Sequence, residues 1–298
     1  MTASAAPSAP VVTRFAPSPT GYLHLGHAHS ALAGWRAARS AGGRFLLRIE
    51  DIDPQRCRPE FDAAIREDLA WLGLDWDGPV RRQSEHPDDY RAALARLRAL
   101  GVLYPCFCSR KEIQEEIARA GHAPHLTPTA AGGAPGPEGP LYPGTCRRLD
   151  PGEAQARLAE GRPHAWRLDI ARALELTGPL CWHDRERGMQ TAVPGILGDV
   201  VLARRDTPTS YHLSVTVDDH LQGVTLVTRG VDLFEATHVH RLLQALLGLA
   251  VPEYHHHGLL TNAAGERLSK RDGAKALRAL RAEGWTPAAV RTLAGFPD

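Results

Sequence analysis

The sequence predicts an α/β fold built on a parallel sheet, and a strand–helix–strand pattern near its start is the main reason. An apolar run at 11–15 is followed by an Ala-rich helical pattern at 25–41 and by a second apolar run, Arg44–Ile49. The first run ends in the turn sequence Pro17-Ser18-Pro19-Thr20-Gly21, and Gly42-Gly43 closes the helix. Two strands joined by a helix form a βαβ unit, which implies parallel strands covered by helices.

Further elements continue this alternation of helices and strands. Apolar residues at helical spacing predict helices at 59–72, 87–100 and 234–247. Short apolar or β-branched runs predict strands at 166–170, 198–203, 209–217 and 226–230, the last of these returning to the main sheet.

A change of composition divides the chain into regions. Residues 127–140 contain four Pro and four Gly, which predicts an exposed irregular loop. We therefore expect a subdomain at 104–190 inserted into a core formed by 11–103 and 191–275. A disordered Ala/Ser/Pro tail is expected at 1–10 and a helical segment at 276–298.

The charge balance argues against bulk attraction to nucleic acid. The 298 residues carry 35 basic and 34 acidic side chains, so any RNA contact must come from local Arg clusters. Only Lys111, Lys270 and Lys275 are lysines. The chain has no apolar run of 18 residues and no signal peptide, so we expect a cytoplasmic protein without a membrane partner.

Two histidines stand where the first strand gives way to the first helix. His24 and His27 are three positions apart at a helix N-terminus, where backbone N–H groups attract phosphate. Their rings can donate to phosphate oxygens, and Gly26 lets a nucleotide lie close to the backbone. The alternative is a pair of surface histidines without a ligand.

A basic segment at 266–273 contains Lys270. In a chain whose cations are nearly all Arg, this Lys indicates a position that needs a compact, mobile ammonium, as phosphoryl-transfer sites do. The alternative is a solvated charged turn.

Together these two segments resemble the signature motifs of class I aminoacyl-tRNA synthetases, His-Leu-Gly-His and Arg-Leu-Ser-Lys-Arg, about 240 residues apart. Four further blocks resemble the glutamyl branch of that family. The likeness covers about residues 12 to 275 and implies a Rossmann-like catalytic core. The four blocks are Arg14-Phe-Ala-Pro-Ser-Pro-Thr-Gly, Arg48-Ile-Glu-Asp-Ile-Asp, Val217-Asp-Asp and Arg229-Gly-Val-Asp-Leu.

Glutamate carries two carboxylates and one ammonium, so its site needs cations and an anion. Arg14 and Arg229 can each pair with a carboxylate, although the sequence leaves open which takes which. Glu50 can receive the ammonium. By resemblance, the amino-acid site comprises Arg14, Phe15, Ala16, Pro17, Ser18, Glu50, Tyr211 and Arg229.

The resemblance also implies a mechanism. A carboxylate of glutamate attacks the α-phosphate of ATP and gives glutamyl-adenylate and pyrophosphate. His24, His27 and Lys270 are the implied catalytic residues and, with Gly26, the ATP-binding residues. Mg²⁺ accompanies ATP, and catalysis is mainly electrostatic.

Three cysteines and a tyrosine in the inserted region predict a zinc site. Zinc takes four ligands in a tetrahedron, and thiolates bind it well. On chemistry alone the fourth ligand is open, since His122 or His125 is more usual than a phenol of pKa near 10. The resemblance to short glutamyl-synthetase paralogues favours the set Cys106, Cys108, Tyr142 and Cys146. Adjacent residues on a strand alternate faces, so we do not expect a metal at 255–257.

Only 28 residues follow Lys270, so we expect no anticodon-binding domain. The sequence thus resembles truncated paralogues of glutamyl-tRNA synthetase. That resemblance implies a monomer that activates L-glutamate with ATP, independently of tRNA, and transfers it to queuosine in the anticodon of tRNA(Asp). The alternatives are a truncated glutamyl-tRNA synthetase that charges a tRNA 3′ end, or a non-catalytic synthetase-like RNA-binding protein.

Overall fold

The computed structural model describes residues 10–121, 135–204, 207, 209–260 and 275–297. The helices in these ranges are α1 (Leu25–Ser40), α2 (Pro59–Trp71), α3 (Pro87–Ala99), α4 (Arg110–Gly121), α5 (Pro151–Ala159), α6 (Ile170–Thr177), α7 (Tyr211–Leu221), α8 (Ala236–Leu247), α9 (Leu277–Ala282) and α10 (Pro287–Leu293). The strands are β1 (Val12–Phe15), β2 (Arg44–Ile49), β3 (Arg81–Arg82), β4 (Leu103–Cys106), β5 (Pro135–Gly136), β6 (Gly139–Pro140), β7 (Ala165–Leu168), β8 (Cys181–Asp184), β9 (Gly188–Thr191), β10 (Val201–Arg204), β11 (Leu226–Gly230) and β12 (Glu253–His257).

The predicted βαβ unit is confirmed. β1 pairs with β2 in parallel, with Val12 opposite Arg44 and Phe15 opposite Leu47, and α1 connects them. The short strand β3 extends this sheet in parallel on the far side of β2.

The second half of the parallel core lies beside β1. β11 pairs in parallel with β12, which confirms the strand predicted at 226–230. The Thr225 N–H donates to the Val12 carbonyl at 2.9 Å, and the Arg14 guanidinium donates to the Thr228 carbonyl at 3.0 Å. Strands from distant parts of the chain therefore end at the same edge, which is where open α/β sheets bind ligands.

The residues between these halves form smaller antiparallel units. β4, β7 and β10 make one sheet. β5 and β6, two residues each, form a hairpin inside the Pro/Gly-rich segment. β9 pairs with β8, which joins the other side of β12. The predicted strands at 166–170 and 198–203 are confirmed with slightly shifted ends.

The strand predicted at 209–217 is wrong, because this segment forms α7. Its β-branched residues favour a strand, but the Ser210 hydroxyl accepts from the Leu213 N–H at 3.4 Å and caps a helix. Residues 212–219 are all buried, and the helix packs against α3, α8 and β10. A helix buried on every side shows no polar face, so its sequence lacks the amphipathic pattern.

Close packing of α1 on the sheet positions its N-terminus. The Gly34 carbonyl accepts from the Thr13 hydroxyl at 2.8 Å, and a Cβ on Gly34 would lie 2.9 Å from the Thr228 hydroxyl oxygen. Ala28, Ala31 and Leu32 are buried in the core cluster, and the same helix packs against β2 and α10. The start of α1 is thereby held at the carboxyl edge of β1. No helix within the described ranges is long and apolar enough to cross a membrane.

Candidate active site and metal centre

A cavity of about 460 Å³ opens at the carboxyl ends of β1, β2 and β11. Turn residues after β1, the start of α1, the residue after β2 and the first residue of α7 form its walls. The cavity brings together every predicted glutamate-binding residue and each predicted ATP-binding residue that the structure describes. These are Arg14, Phe15, Ala16, Pro17, Ser18, His24, Gly26, His27, Glu50, Tyr211 and Arg229.

The two signature histidines cap α1 reciprocally. His24 Nδ1 accepts from the Gly26 N–H at 3.1 Å, and His27 Nδ1 accepts from the His24 N–H at 3.2 Å. Their ring centroids lie 3.9 Å apart. Since both Nδ1 atoms accept, the ring proton of each neutral imidazole is on Nε2. This tautomer, at the positive end of a helix, suits a phosphate ligand.

Lys270 lies outside the described residues, which resume after the predicted basic segment. Both flanks of that segment lie at the cavity. Leu260 lines it, and Ala276 forms an isolated bridge with His24. The Leu277 N–H also donates to the Leu23 carbonyl at 2.8 Å.

A network of buried ion pairs lies behind Arg14 and Glu50. Arg14 Nε donates to Asp219 at 2.9 Å, and Arg48 donates to Asp219 at 2.8 Å and to Glu50 at 3.1 Å. Burial raises the pKa of Asp219, but Arg14 and Arg48 outweigh it and hold that pKa below its usual value. For Glu50 burial dominates, so its pKa is raised despite Arg48 and Arg14. A substrate ammonium beside Glu50 would favour its ionised form.

Asp218 connects this network to β3 and α3. Its carboxylate is fully buried and accepts from Arg81 at 2.8 Å, from Gln83 at 2.8 Å and from the Tyr90 hydroxyl at 3.0 Å. No role was predicted from the sequence for Arg48, Asp218 or Asp219. The signal for Asp218 and Asp219 was their position side by side in an otherwise apolar stretch, since buried carboxylates need partners in the interior.

Arg229 differs from Arg14 in having only neutral partners among the described residues. It donates to His256 at 3.0 Å, to Thr237 at 2.5 Å, to His240 at 3.2 Å and to the Tyr211 hydroxyl at 3.4 Å. Burial and the neighbouring Arg229 charge lower the pKa of His256 to about 3 and that of His240 well below its usual value. The cavity wall therefore carries a buried guanidinium whose charge is not neutralised by a carboxylate bonded to it in the described part of the chain.

His256 and His240 were not predicted as site residues. The expected alternation is observed from Glu253 to His256, since Tyr254 and His256 are both buried and their rings stack with centroids 5.8 Å apart, whereas His257 is buried as well. The same alternation that argued against a metal at 255–257 directs His256 inward to Arg229. The available signal in the sequence was strand periodicity, which places Tyr254 and His256 on the same face.

Three thiols and a phenol meet where β4 ends and in the segment that follows β6. The sulfurs of Cys106, Cys108 and Cys146 lie within 4.8 Å of one another. The Tyr142 hydroxyl is 3.4 Å from Cys106 Sγ and 3.6 Å from Cys108 Sγ. Ligands about 2.3 Å from a tetrahedral zinc require spacings of this size, so the four side chains fit the predicted metal. The competing candidates His122 and His125 lie outside the described residues.

The electrostatics of this cluster also suit a cation. A hydrogen bond from Cys146 is the main reason that the pKa of Cys106 falls to about 4, with Tyr142 and Arg167 assisting against burial. Burial, followed by the hydrogen bond to Cys106, raises the pKa of Tyr142. One thiolate is thus stabilised among donors, as expected where soft ligands converge.

Comparison with known proteins agrees with this geometry. Residues 10–295 match the family described as tRNA synthetases class I (E and Q), catalytic domain. The chain is 53% identical to a glutamyl-Q tRNA(Asp) synthetase of Rhodobacter capsulatus, over 96% of this chain and 100% of that protein. It is 46% identical to the protein of the same name from Symbiobacterium thermophilum, over 93% of this chain and 83% of the other.

A solved structure is also similar. The fold matches a glutamate tRNA ligase from Elizabethkingia meningosepticum, crystallised in complex with its amino acid, with a TM-score of 0.79 and 30% identity. The match covers 96% of this chain but 60% of the ligase, so the chain spans about three fifths of that enzyme's length.

Proposed function

Because the chain belongs to the class I tRNA synthetases of the glutamate and glutamine type, we propose that it activates glutamate with ATP without tRNA and transfers it to queuosine in tRNA(Asp). The observation that carries the activation step is the cavity that joins Arg229, Glu50 and the His24–His27 helix start. The choice of queuosine is supported by full-length similarity to proteins named glutamyl-Q tRNA(Asp) synthetase.

The first step follows from the charges of the cavity. The cations Arg14 and Arg229 hold the carboxylates of glutamate, and Glu50 holds its ammonium. A carboxylate oxygen attacks the α-phosphorus of ATP, the bond to the bridging oxygen of the β-phosphate breaks, and pyrophosphate leaves. A Mg²⁺ ion bound with ATP would neutralise part of the phosphate charge. His24, His27 and Lys270 stabilise the charge that develops on the phosphate oxygens.

The second step needs no covalent enzyme intermediate. A hydroxyl of the RNA attacks the carbonyl carbon of glutamyl-adenylate, and AMP leaves as the ester forms.

We propose that Cys106, Cys108, Tyr142 and Cys146 hold a zinc ion that ties β4 to the segment after β6. We also propose that residues 11–103 and 191–275 form the core and that residues 104–190 form an insertion. The protein acts as a monomer in the cytoplasm, where its substrates are.

Exchange of pyrophosphate into ATP tests the activation step. We expect glutamate-dependent exchange without tRNA, and no exchange with aspartate. Absence of exchange in the purified chain would favour a non-catalytic RNA-binding protein.

Labelling of matched tRNAs tests the transfer step. Radioactive glutamate should enter tRNA(Asp) that carries queuosine, including a form that lacks its 3′-terminal adenosine, but not tRNA(Asp) without queuosine. The reverse pattern, with label lost on removal of the 3′ adenosine, would support the charging of a 3′ end, which the similarity to a glutamate tRNA ligase keeps as the second candidate.

A further inference from the structure

Arg229 is held by two hydrogen-bonded chains, each a series of side chains that leads away from the cavity. Its guanidinium is buried, and its two imidazole contacts belong to different elements: His256 in β12 and His240 in α8. Each imidazole is bonded in turn to a second group on its far side.

The first chain ends on Asp184 at the end of β8. His256 Nε2 accepts from Arg229 Nε at 3.0 Å, so its proton lies on Nδ1, which donates to Asp184 Oδ2 at 2.6 Å. Both side chains are fully buried. Asp184 Oδ1 accepts from the backbone N–H groups of Glu186 and Arg187 at 3.0 and 3.1 Å, which holds the carboxylate in place.

The second chain ends on Glu138 in the turn between β5 and β6. His240 Nδ1 accepts from Arg229 at 3.2 Å, so His240 Nε2 donates to His212 Nδ1, also at 3.2 Å. His212 Nε2 then lies 3.4 Å from the Glu138 carboxylate. Every ring nitrogen along both chains has a partner in one consistent arrangement of protons.

We propose that the Asp184–His256 and Glu138–His212–His240 chains are positioning devices that orient Arg229 for the carboxylate of the amino-acid substrate. Because His256 and His240 accept from Arg229 as neutral imidazoles, they fix the guanidinium without cancelling its charge. A carboxylate in direct contact, as Asp219 is with Arg14, would compete with the substrate. The identity of the substrate rests on the proposed function, but the hydrogen bonds that orient Arg229 do not depend on which substrate binds.

Asp184→Asn tests the first chain by reversing a tautomer. The amide oxygen of the substituted side chain would keep the two backbone donors of Oδ1, so its N–H groups would turn toward His256. The imidazole must then accept at Nδ1 and carry its proton on Nε2, where it opposes the Arg229 N–H. We expect the KM for glutamate in the exchange reaction to rise about tenfold or more, with the KM for ATP unchanged.

A pair of substitutions at His240 tests the second chain. His240→Asn keeps an acceptor near the Nδ1 position, whereas His240→Leu keeps apolar packing and loses the acceptor. We expect the leucine variant to raise the glutamate KM and the asparagine variant to restore most of it. A purely structural role predicts the opposite order, since burying an amide in a packed core costs more than burying Leu.

His238→Leu is the matched control, because His238 is a buried histidine on the same helix that accepts from the Val193 N–H and has no bond to Arg229. We expect it to leave the glutamate KM within about twofold. The tautomers of the full-length wild type can be measured by ¹⁵N NMR of the histidine rings, with the proton expected on Nδ1 of His256 and on Nε2 of His240.

The outcomes separate this proposal from the proposed function. Wild-type tautomers other than these, or folded Asp184→Asn and His240→Leu variants with unchanged glutamate KM, would overturn the positioning role. Loss of folding in Asp184→Asn leaves the His240 pair and the wild-type tautomers to decide. Absence of exchange in the wild type refutes the proposed function. The tautomers of His256 and His240 still decide whether the two hydrogen-bonded chains to Arg229 are formed.

Discussion

At the scale of single residues, two buried arginines of the same cavity differ in what surrounds them. Asp219 already neutralises Arg14, whereas Arg229 contacts hydroxyls and neutral imidazoles. A cation in a buried site attracts an anion more strongly when no internal counter-ion competes. We therefore expect Arg229 to contribute more than Arg14 to the recognition of a carboxylate.

Arg229→Lys should raise the KM for glutamate by about 10- to 150-fold, the cost of losing charge-assisted hydrogen bonds worth about 1.5–3 kcal/mol. An ammonium keeps the charge but cannot bond in the directions of a guanidinium fork. Pyrophosphate exchange at varied glutamate measures this. Arg185→Lys, at an exposed arginine paired with Glu253, is the control, and an equal effect there would contradict the assignment.

Lys270→Ala should lower the kcat of exchange by about a hundredfold or more, because a cation that stabilises charge only in the transition state acts on kcat. The KM for glutamate should change little. Lys275→Ala is the matched control, since Lys275 Nζ pairs with Glu283 at 2.8 Å on the surface. Similar rates in the two variants would remove Lys270 from the catalytic residues.

At the scale of secondary-structure elements, α7 shows how a helix supplies several parts of the site at once. Its first residue, Tyr211, lines the cavity, and its last turns carry Asp218 and Asp219 into the arginine network. Ser210 caps it, although its composition favours a strand. Stability of this helix should therefore affect both folding and the cavity.

Ser210→Ala removes the cap of α7 and should lower the free energy of unfolding by about 1 kcal/mol. Urea denaturation followed by circular dichroism measures the change. Ser40→Ala is the control, since that exposed hydroxyl bonds only within the last turn of α1 and its loss should cost less than about 0.5 kcal/mol. Equal costs would show that the cap is not significant.

The proposed zinc site lies at the end of β4 and after β6, and its fourth ligand can be tested directly. Tyr142→Phe should lower zinc affinity, whereas His122→Ala and His125→Ala should not, if the cluster of Tyr142 with three thiols is the site. Mass spectrometry of bound metal and competition with a chelator measure this. Cys146→Ser should lose most of the metal, and Cys181→Ser, at an exposed thiol, should keep it.

At the scale of the whole molecule, buried ionisable groups make stability depend on pH. The folded pKa of His256 is lowered to about 3 by burial and by Arg229, against about 6.5 when unfolded. As pH falls below about 6.5, His256 binds a proton in the unfolded chain but not in the folded chain. The contribution of His256 to stability is therefore present above that pH and decreases as pH falls toward 3.

Comparison of wild type with His256→Gln isolates this effect. Between about pH 6 and 4 the free energy of unfolding of the wild type should fall more steeply, by up to about 1.4 kcal/mol per pH unit relative to the variant. Urea denaturation at three pH values gives the two slopes. Parallel slopes would mean that His256 is already protonated in the folded protein.

Local patterns predicted much of the core, whereas most of the site residues were predicted from a family resemblance. The βαβ unit, the strand at 226–230 and the helix at 234–247 follow from periodicity and from Gly and Pro. The cavity residues were predicted from the resemblance to the glutamyl branch of the class I synthetases, and parallel strands that end at one edge bring them together. The helix at 211–221 escaped prediction because its burial on all sides comes from other elements.

By itself, the sequence determined the βαβ unit, the strand at 226–230 and the helix at 234–247, because each depends on residues that are close together along the chain. The tertiary structure alone decided that Asp219 neutralises Arg14 and that Arg229 is held by His256 and His240. Those partners are far apart along the chain or belong to different elements. Which buried charge meets which partner depends on packing, and packing joins residues that no local pattern relates.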